Sequence, residues 1–166
     1  MCQCFCRPVL SRAAAAEAPA ERVRRASARL CLRLGWAPLH EVTLPNSRRA
    51  DILALAGDGS FVCIEVKSGP RDFLTDTKWP DYRGFADALC FAVDASFPQH
   101  LLPSAVGLIV VAGEEAELIR PPEAHPLAPA RRRALLLRFA RLGANRLAAA
   151  QDPAGSAALA AALRAE

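Results

Sequence analysis

Two apolar runs dominate the hydrophobic pattern of the chain. Arg49-Ala50-Asp51-Ile52-Leu53-Ala54-Leu55 and Phe61-Val62-Cys63-Ile64-Glu65-Val66-Lys67 flank a Gly57-Asp58-Gly59 break, and apolar, β-branched runs joined in this way predict a β-hairpin. Taken as symmetric about Asp58, the hairpin sets Asp51 opposite Glu65 and Arg49 opposite Lys67. Side chains alternate faces along a strand. Asp51, Glu65 and Lys67 therefore share a face with Leu53, Leu55, Phe61 and Cys63, while Ile52, Ala54, Val62, Ile64 and Val66 share the other. Both faces are apolar, as in strands covered on each side by helices.

Elsewhere the period changes. Ala20 to Leu34 reads as an amphipathic helix, with Val23, Ser27, Leu30 and Leu34 on one face, Arg22, Arg25, Arg29 and Arg33 on another, and Gly35 as its C-cap. Leu39 to Leu44 alternates weakly as a first strand and closes at Pro45-Asn46-Ser47. After the hairpin, Ser68-Gly69-Pro70 ends the third strand, and Arg71 to Thr77 reads as helical or irregular. Pro80 is suited to open a helix running to about Leu89, with Tyr82, Phe85, Ala86 and Leu89 inward. Cys90–Val93 and Val106–Ala112 have strand character, joined by a proline-bearing loop, and Glu117–Arg120 adds an edge strand. A turn-rich connector, Pro121 to Pro126, leads to a helix from Pro129 to about Ala150. Its inward residues are Leu135, Leu136, Phe139 and Leu142, and Arg131, Arg132, Arg133, Arg138 and Arg141 form a second basic surface. Residues 1–19 read as disordered and 151–166 as an Ala-rich tail of doubtful order, leaving one domain over 20–150.

Composition sharpens this picture at two points. The chain has 166 residues, 52% of them hydrophobic, enough to bury a core, and a net charge of +4 that suits a polyanionic partner without requiring one. Of 21 basic residues only Lys67 and Lys78 are lysines. Lysine is a compact point charge and arginine a wide fork, so two lysines in an arginine-writing chain point to a chemical requirement at Lys67. Cys2, Cys4 and Cys6 lack zinc-knuckle spacing, and Cys31, Cys63 and Cys90 read as reduced core residues. Without a signal-peptide pattern or an apolar run long enough to span a bilayer, the expected location is cytoplasmic, with no membrane partner. His40, His100 and His125 are scattered, and no nucleotide-binding or nucleophile-elbow motif occurs.

Asp51, Glu65 and Lys67 remain, three charges at one end of an apolar sheet, where a charge is costly unless paired or metal-bound. Hard carboxylate oxygens hold Mg²⁺ or Mn²⁺, and a lysine beside them can polarise water or screen developing charge. The plainer alternative is a salt bridge at a strand end. Lys78, Trp79, Asp81 and Tyr82 gather at the start of the Pro80 helix, a position suited to phosphate, or else pack and cap there. The arginine stripes are either solvated faces or phosphate rails.

Asp51…Glu65-Val66-Lys67 resembles the core of the PD-(D/E)xK nuclease superfamily, with Ala50 where that motif usually has proline. Arg48-Arg49-Ala50-Asp51, Glu65-Val66-Lys67-Ser68, Asp72-Phe73, Lys78-Trp79-Pro80-Asp81-Tyr82 and Leu135-Leu136-Leu137-Arg138-Phe139-Ala140 together resemble the MmcB family of bacterial DNA-repair proteins, from about Glu21 to Leu147. The resemblance implies a restriction-endonuclease-like α/β/α sandwich with a central mixed sheet. It also implies a DNA nuclease using Mg²⁺ or Mn²⁺, with Asp51, Glu65 and the Val66 carbonyl as ligands and Lys67 assisting the water. Glu21 is the candidate additional acid from the first helix, with Glu17 and Glu41 as rivals. Ser68, Lys78, Asp81 and Tyr82 would support the site, and Arg25, Arg29, Arg138 and Arg141 would contact DNA. The implied partners are DNA and other DNA-repair proteins. The rival classes are a non-catalytic DNA-binding or scaffold protein with the same fold, and a small structural adaptor.

Overall fold

The structure is a computed structural model and describes residues 18–162, so Cys2, Cys4, Cys6, Glu17 and most of the segment expected to be disordered lie outside the described residues. Six strands form one sheet in chain order: β1 (Ala37–Thr43), β2 (Arg49–Leu55), β3 (Phe61–Lys67), β4 (Ala88–Asp94), β5 (Gly107–Ala112) and β6 (Glu115–Arg120). Neighbours are antiparallel from β1 to β3 and between β5 and β6, and parallel from β3 to β5. One face is covered by α1 (Pro19–Arg33). The other is covered by α2 (Pro70–Thr75), a 3₁₀ turn over Trp79–Gly84, and α3 (Pro129–Gln151). The result is an α/β/α sandwich around a mixed sheet. No helix among the described residues is long and apolar enough to cross a membrane.

The hairpin register is the one set by symmetry about Asp58: Leu55 pairs with Phe61, Ala54 with Val62, Leu53 with Cys63 and Ile52 with Ile64. Leu53, Phe61 and Cys63 enter the core under α3, while Ile52, Ala54, Val62, Ile64 and Val66 enter the core under α1. At the start of α1 Pro19 needs no hydrogen-bond partner for its nitrogen. At its end Gly35 takes φ +74°, with Gly35 N–H on Leu32 O and Trp36 N–H on Cys31 O, which caps the last turn. Because the helix stops at Arg33, Leu34 points to solvent and not inward.

Two stretches depart from the sequence pattern. The helix expected from Pro80 to Leu89 is only the 3₁₀ turn, and Ala88 and Leu89 already belong to β4. Asp87 is the cause. It is buried and lies between the two, its N–H donates to Phe61 O, and its carboxylate accepts Phe61 N–H at 2.8 Å and Leu127 N–H at 2.7 Å. The Arg132 guanidinium completes the set, so one side chain ties β3, the proline-rich connector and α3 together. The second departure is the alanine-rich tail, where Pro153–Ala162 forms a further helix, α4.

Candidate functional site

The β2–β3 ladder stops at Ile52 and Ile64, one residue short of the acids. Side chains take over there. Asp51 N–H donates to Glu65 Oε1 at 3.3 Å, and Val66 N–H donates to Asp51 Oδ2 at 2.8 Å. Glu65 is only 5% exposed and Asp51 is half-buried. Burial, then the neighbouring Asp51 charge, push Glu65 up to about 8, and burial also raises Asp51. On the other flank β1 pairs His40 with Ile52 and Val42 with Ala50, skipping Glu41 and Asp51 between them. Glu41 takes φ +52°, a left-handed conformation that side chains rarely adopt. Glu41, Asp51 and Glu65 thus stand level across three adjacent strands, where both ladders are interrupted.

Lys67 is buried on the same strand face as Glu65, but its ion pair is with neither sequence-predicted acid. Nζ donates to Asp76 Oδ2 at 2.5 Å. Asp76 closes α2, and its other oxygen accepts Lys78 N–H at 2.8 Å. Burial raises Asp76, but the bonds from Lys67 and Lys78 outweigh it and hold the carboxyl below its ordinary range. Phe91 lies beneath Nζ, with Phe73 and Trp79 packed edge-on against its ring. Ser68 donates its N–H and hydroxyl to Asp72 Oδ2, fixing the entry to α2.

The remaining supporting residues divide. Tyr82 is buried, donates its hydroxyl to Arg49 O at 3.1 Å, and is raised by burial and by nearby Glu65. Asp81 turns outward to pair with Arg48 at 2.9 Å, and the Lys78 side chain is exposed. The expected helix N-terminus at Pro80 is a six-residue 3₁₀ turn, so no α-helical dipole is aimed from it.

Two clefts lie on either side of Glu41. One, of about 300 Å³, is lined by Ala20, Glu21, Arg24, Glu41, Asp51 and Val66. The candidate additional acid Glu21 and its rival Glu41 are both in it, and Arg24 binds both of them, Glu41 at 2.5 Å. Arg49 also pairs with Glu41, at 2.9 Å. The second cleft, about 520 Å³ between β1 and α3, contains Thr43, Arg138, Arg141 and Arg146 and shares Glu41 with the first. Arg138 and Arg141 are exposed and make no ion pair among the described residues. The α1 stripe is used differently: Arg22 pairs with Asp94, Arg25 and Arg29 with Glu114, and Arg33 with Glu115. These bonds clip α1 onto the sheet at the end of β4 and at the β5–β6 turn.

Two neighbouring carboxylates, one of them pushed up to about 8 by burial and then by its neighbour's charge, are a donor set that fits a hard divalent cation. Asp51, Glu65 and the Val66 carbonyl would hold it. Among the described residues no three His, Cys, Asp or Glu side chains converge as they stand. Sequence reading misses Arg24 and Asp76. Arg24 is one arginine in a stripe, and Asp76 is one acid among several near Lys67. Only the β1–β2 register and the turn ending α2 single them out.

A family model described as DNA repair protein MmcB-like matches residues 9–154. Among solved structures, the SPO1766 protein of unknown function from Silicibacter pomeroyi is 37% identical, with a TM-score of 0.79 over 85% of this chain and 97% of that one. No curated protein matches.

Proposed function

Because this chain belongs to the MmcB-like family of DNA repair proteins, we propose that it is a cytoplasmic DNA nuclease of the PD-(D/E)xK type, dependent on Mg²⁺ or Mn²⁺. The observation that carries this reading is the meeting of Asp51 and Glu65 where the hairpin ladder opens, with buried Lys67 next along the same face. When bound, the cation supplies charge that lowers the pKa of a water and neutralises a phosphoryl oxygen. Asp51, Glu65 and the Val66 carbonyl would hold it. Lys67 sets an ammonium beside the reacting centre, where it orients water or screens charge developing in the transition state. Arg138 and Arg141 take flanking phosphates in the α3–β1 cleft, which shares Glu41 with the cleft lined by Asp51.

The test is cleavage of flapped, branched, nicked and single-stranded DNA by the purified full chain with Mg²⁺ or Mn²⁺. Asp51→Asn, Glu65→Gln and Lys67→Ala should each lower the rate about a hundredfold or more while DNA affinity measured without metal stays nearly intact, because these groups act on the transition state. Lys67→Arg should fail as well, since a planar fork does not replace a compact ammonium. A second reading is favoured by the Lys67–Asp76 pair, which engages the lysine within the fold. It is a DNA-binding scaffold for other repair proteins that keeps the nuclease architecture. Tight DNA binding with no cleavage under any of these conditions would select it.

A further inference from the structure

The acids around the cleft are not equally available to a cation. Arg24 of α1 donates one guanidinium nitrogen to Glu21 and another to Glu41, and it lines the same cleft as Asp51 and Val66. A guanidinium fork can hold two carboxylates at once. With Arg24 between them, Glu21 and Glu41 are turned to an internal cation, and the described residues present no third acid converging with Asp51 and Glu65. The strained backbone at Glu41 brings its carboxylate into this arrangement.

We infer that Arg24, which unlike Arg49 bonds both Glu21 and Glu41, is the resident counter-cation of the acid row, that it competes with a divalent cation there, and that a DNA phosphate relieves the competition by offering the guanidinium another anion. Glu41 lines both the acid cleft and the arginine cleft, so a phosphate bound between β1 and α3 lies next to one of the two bonds that Arg24 must give up. Cation and DNA binding are then coupled through one side chain, and the coupling is reciprocal. This inference rests on the cation-dependent reading above and adds its regulation.

The experiment is calorimetric titration of Mn²⁺ into the full chain, with and without a short phosphorothioate-linked DNA duplex. In the wild type, duplex should tighten Mn²⁺ binding about tenfold. Without DNA, Arg24→Gln should bind Mn²⁺ about tenfold more tightly than wild type and lose most of the gain from duplex. Arg24→Lys, which keeps the charge without the fork, should fall between them. Arg22→Gln, on the same helix but paired with Asp94, should match wild type. Equal Mn²⁺ affinity in Arg24→Gln and wild type, or a duplex-dependent gain that survives Arg24→Gln, overturns the inference. If Mn²⁺ still binds in those cases and is lost in Asp51→Asn, the failure belongs to Arg24 alone. Absence of Mn²⁺ binding in every variant overturns the cation reading and this inference with it.

Discussion

Lys67 and Asp87 are both buried charges, and each is satisfied by a different kind of partner. Lys67 has a single carboxylate and an aromatic floor, whereas Asp87 gathers two backbone N–H groups and a guanidinium from three segments. Burial pushes the Asp87 carboxyl up, but the Leu127 and Phe61 bonds and Arg132 outweigh it and hold it below the ordinary carboxylate range. A depressed acid adds stability above its unfolded pKa, and that stability is lost as pH falls through the folded value. Asp87→Ala should therefore cost about 3 kcal/mol at pH 7, by leaving buried donors unpaired. The gap from wild type in urea melts should then shrink as pH drops below about 4. A gap independent of pH between 7 and 3 would contradict this. Lys67 itself is legible in the sequence because lysine is so rare in it. Its partner is not, since Asp51, Glu65, Asp72 and Asp76 all lie near enough along the chain, and only the end of α2 selects Asp76.

At the scale of elements, the hairpin is readable because two apolar, β-branched runs and the Gly-Asp-Gly turn between them together fix register and faces. The run from Phe85 to Leu89 is misread as helix because its residues suit either state. Pairing of Val62 with Ala88 and the bonds of Asp87 decide for strand. The parallel β4–β5 pair holds a tighter constraint. Gly107 lies opposite Cys90, and a Cβ there would sit 2.5 Å from Cys90 Sγ and 3.0 Å from Pro122. Gly107→Ala should cost about 2 kcal/mol through overpacking. Pairing it with Cys90→Ala should destabilise by about 1 kcal/mol less than the sum of the single changes, measured as a double-mutant cycle in thermal melts. Strict additivity would show that the sulfur is not what Gly107 makes room for.

Across the whole molecule, two arginine stripes that look alike in sequence have different uses. Those on α1 are held by Asp94, Glu114 and Glu115, and those on α3 beside β1 line a cleft that includes Glu41. Glutamate at Arg138 and Arg141 should weaken DNA binding and lower the salt slope by about one unit per lost phosphate contact. Glutamate at Arg25 and Arg29 should leave the slope unchanged and lower the melting temperature by a few degrees, since it would meet Glu114. Fluorescence anisotropy over a salt series separates the two, and equal slopes for both double variants would remove the distinction. The mixed sheet also has a consequence in time. β1, β2 and β3 are joined by short turns, whereas β4 can dock on β3 only after the chain from Ser68 to Asp87 has closed a loop. Local connections close first. The carboxylates of Asp51 and Glu65 should thus meet on the nascent hairpin while still in water, and the burial that raises Glu65 should arrive only with β4, which sets Phe91 beside it.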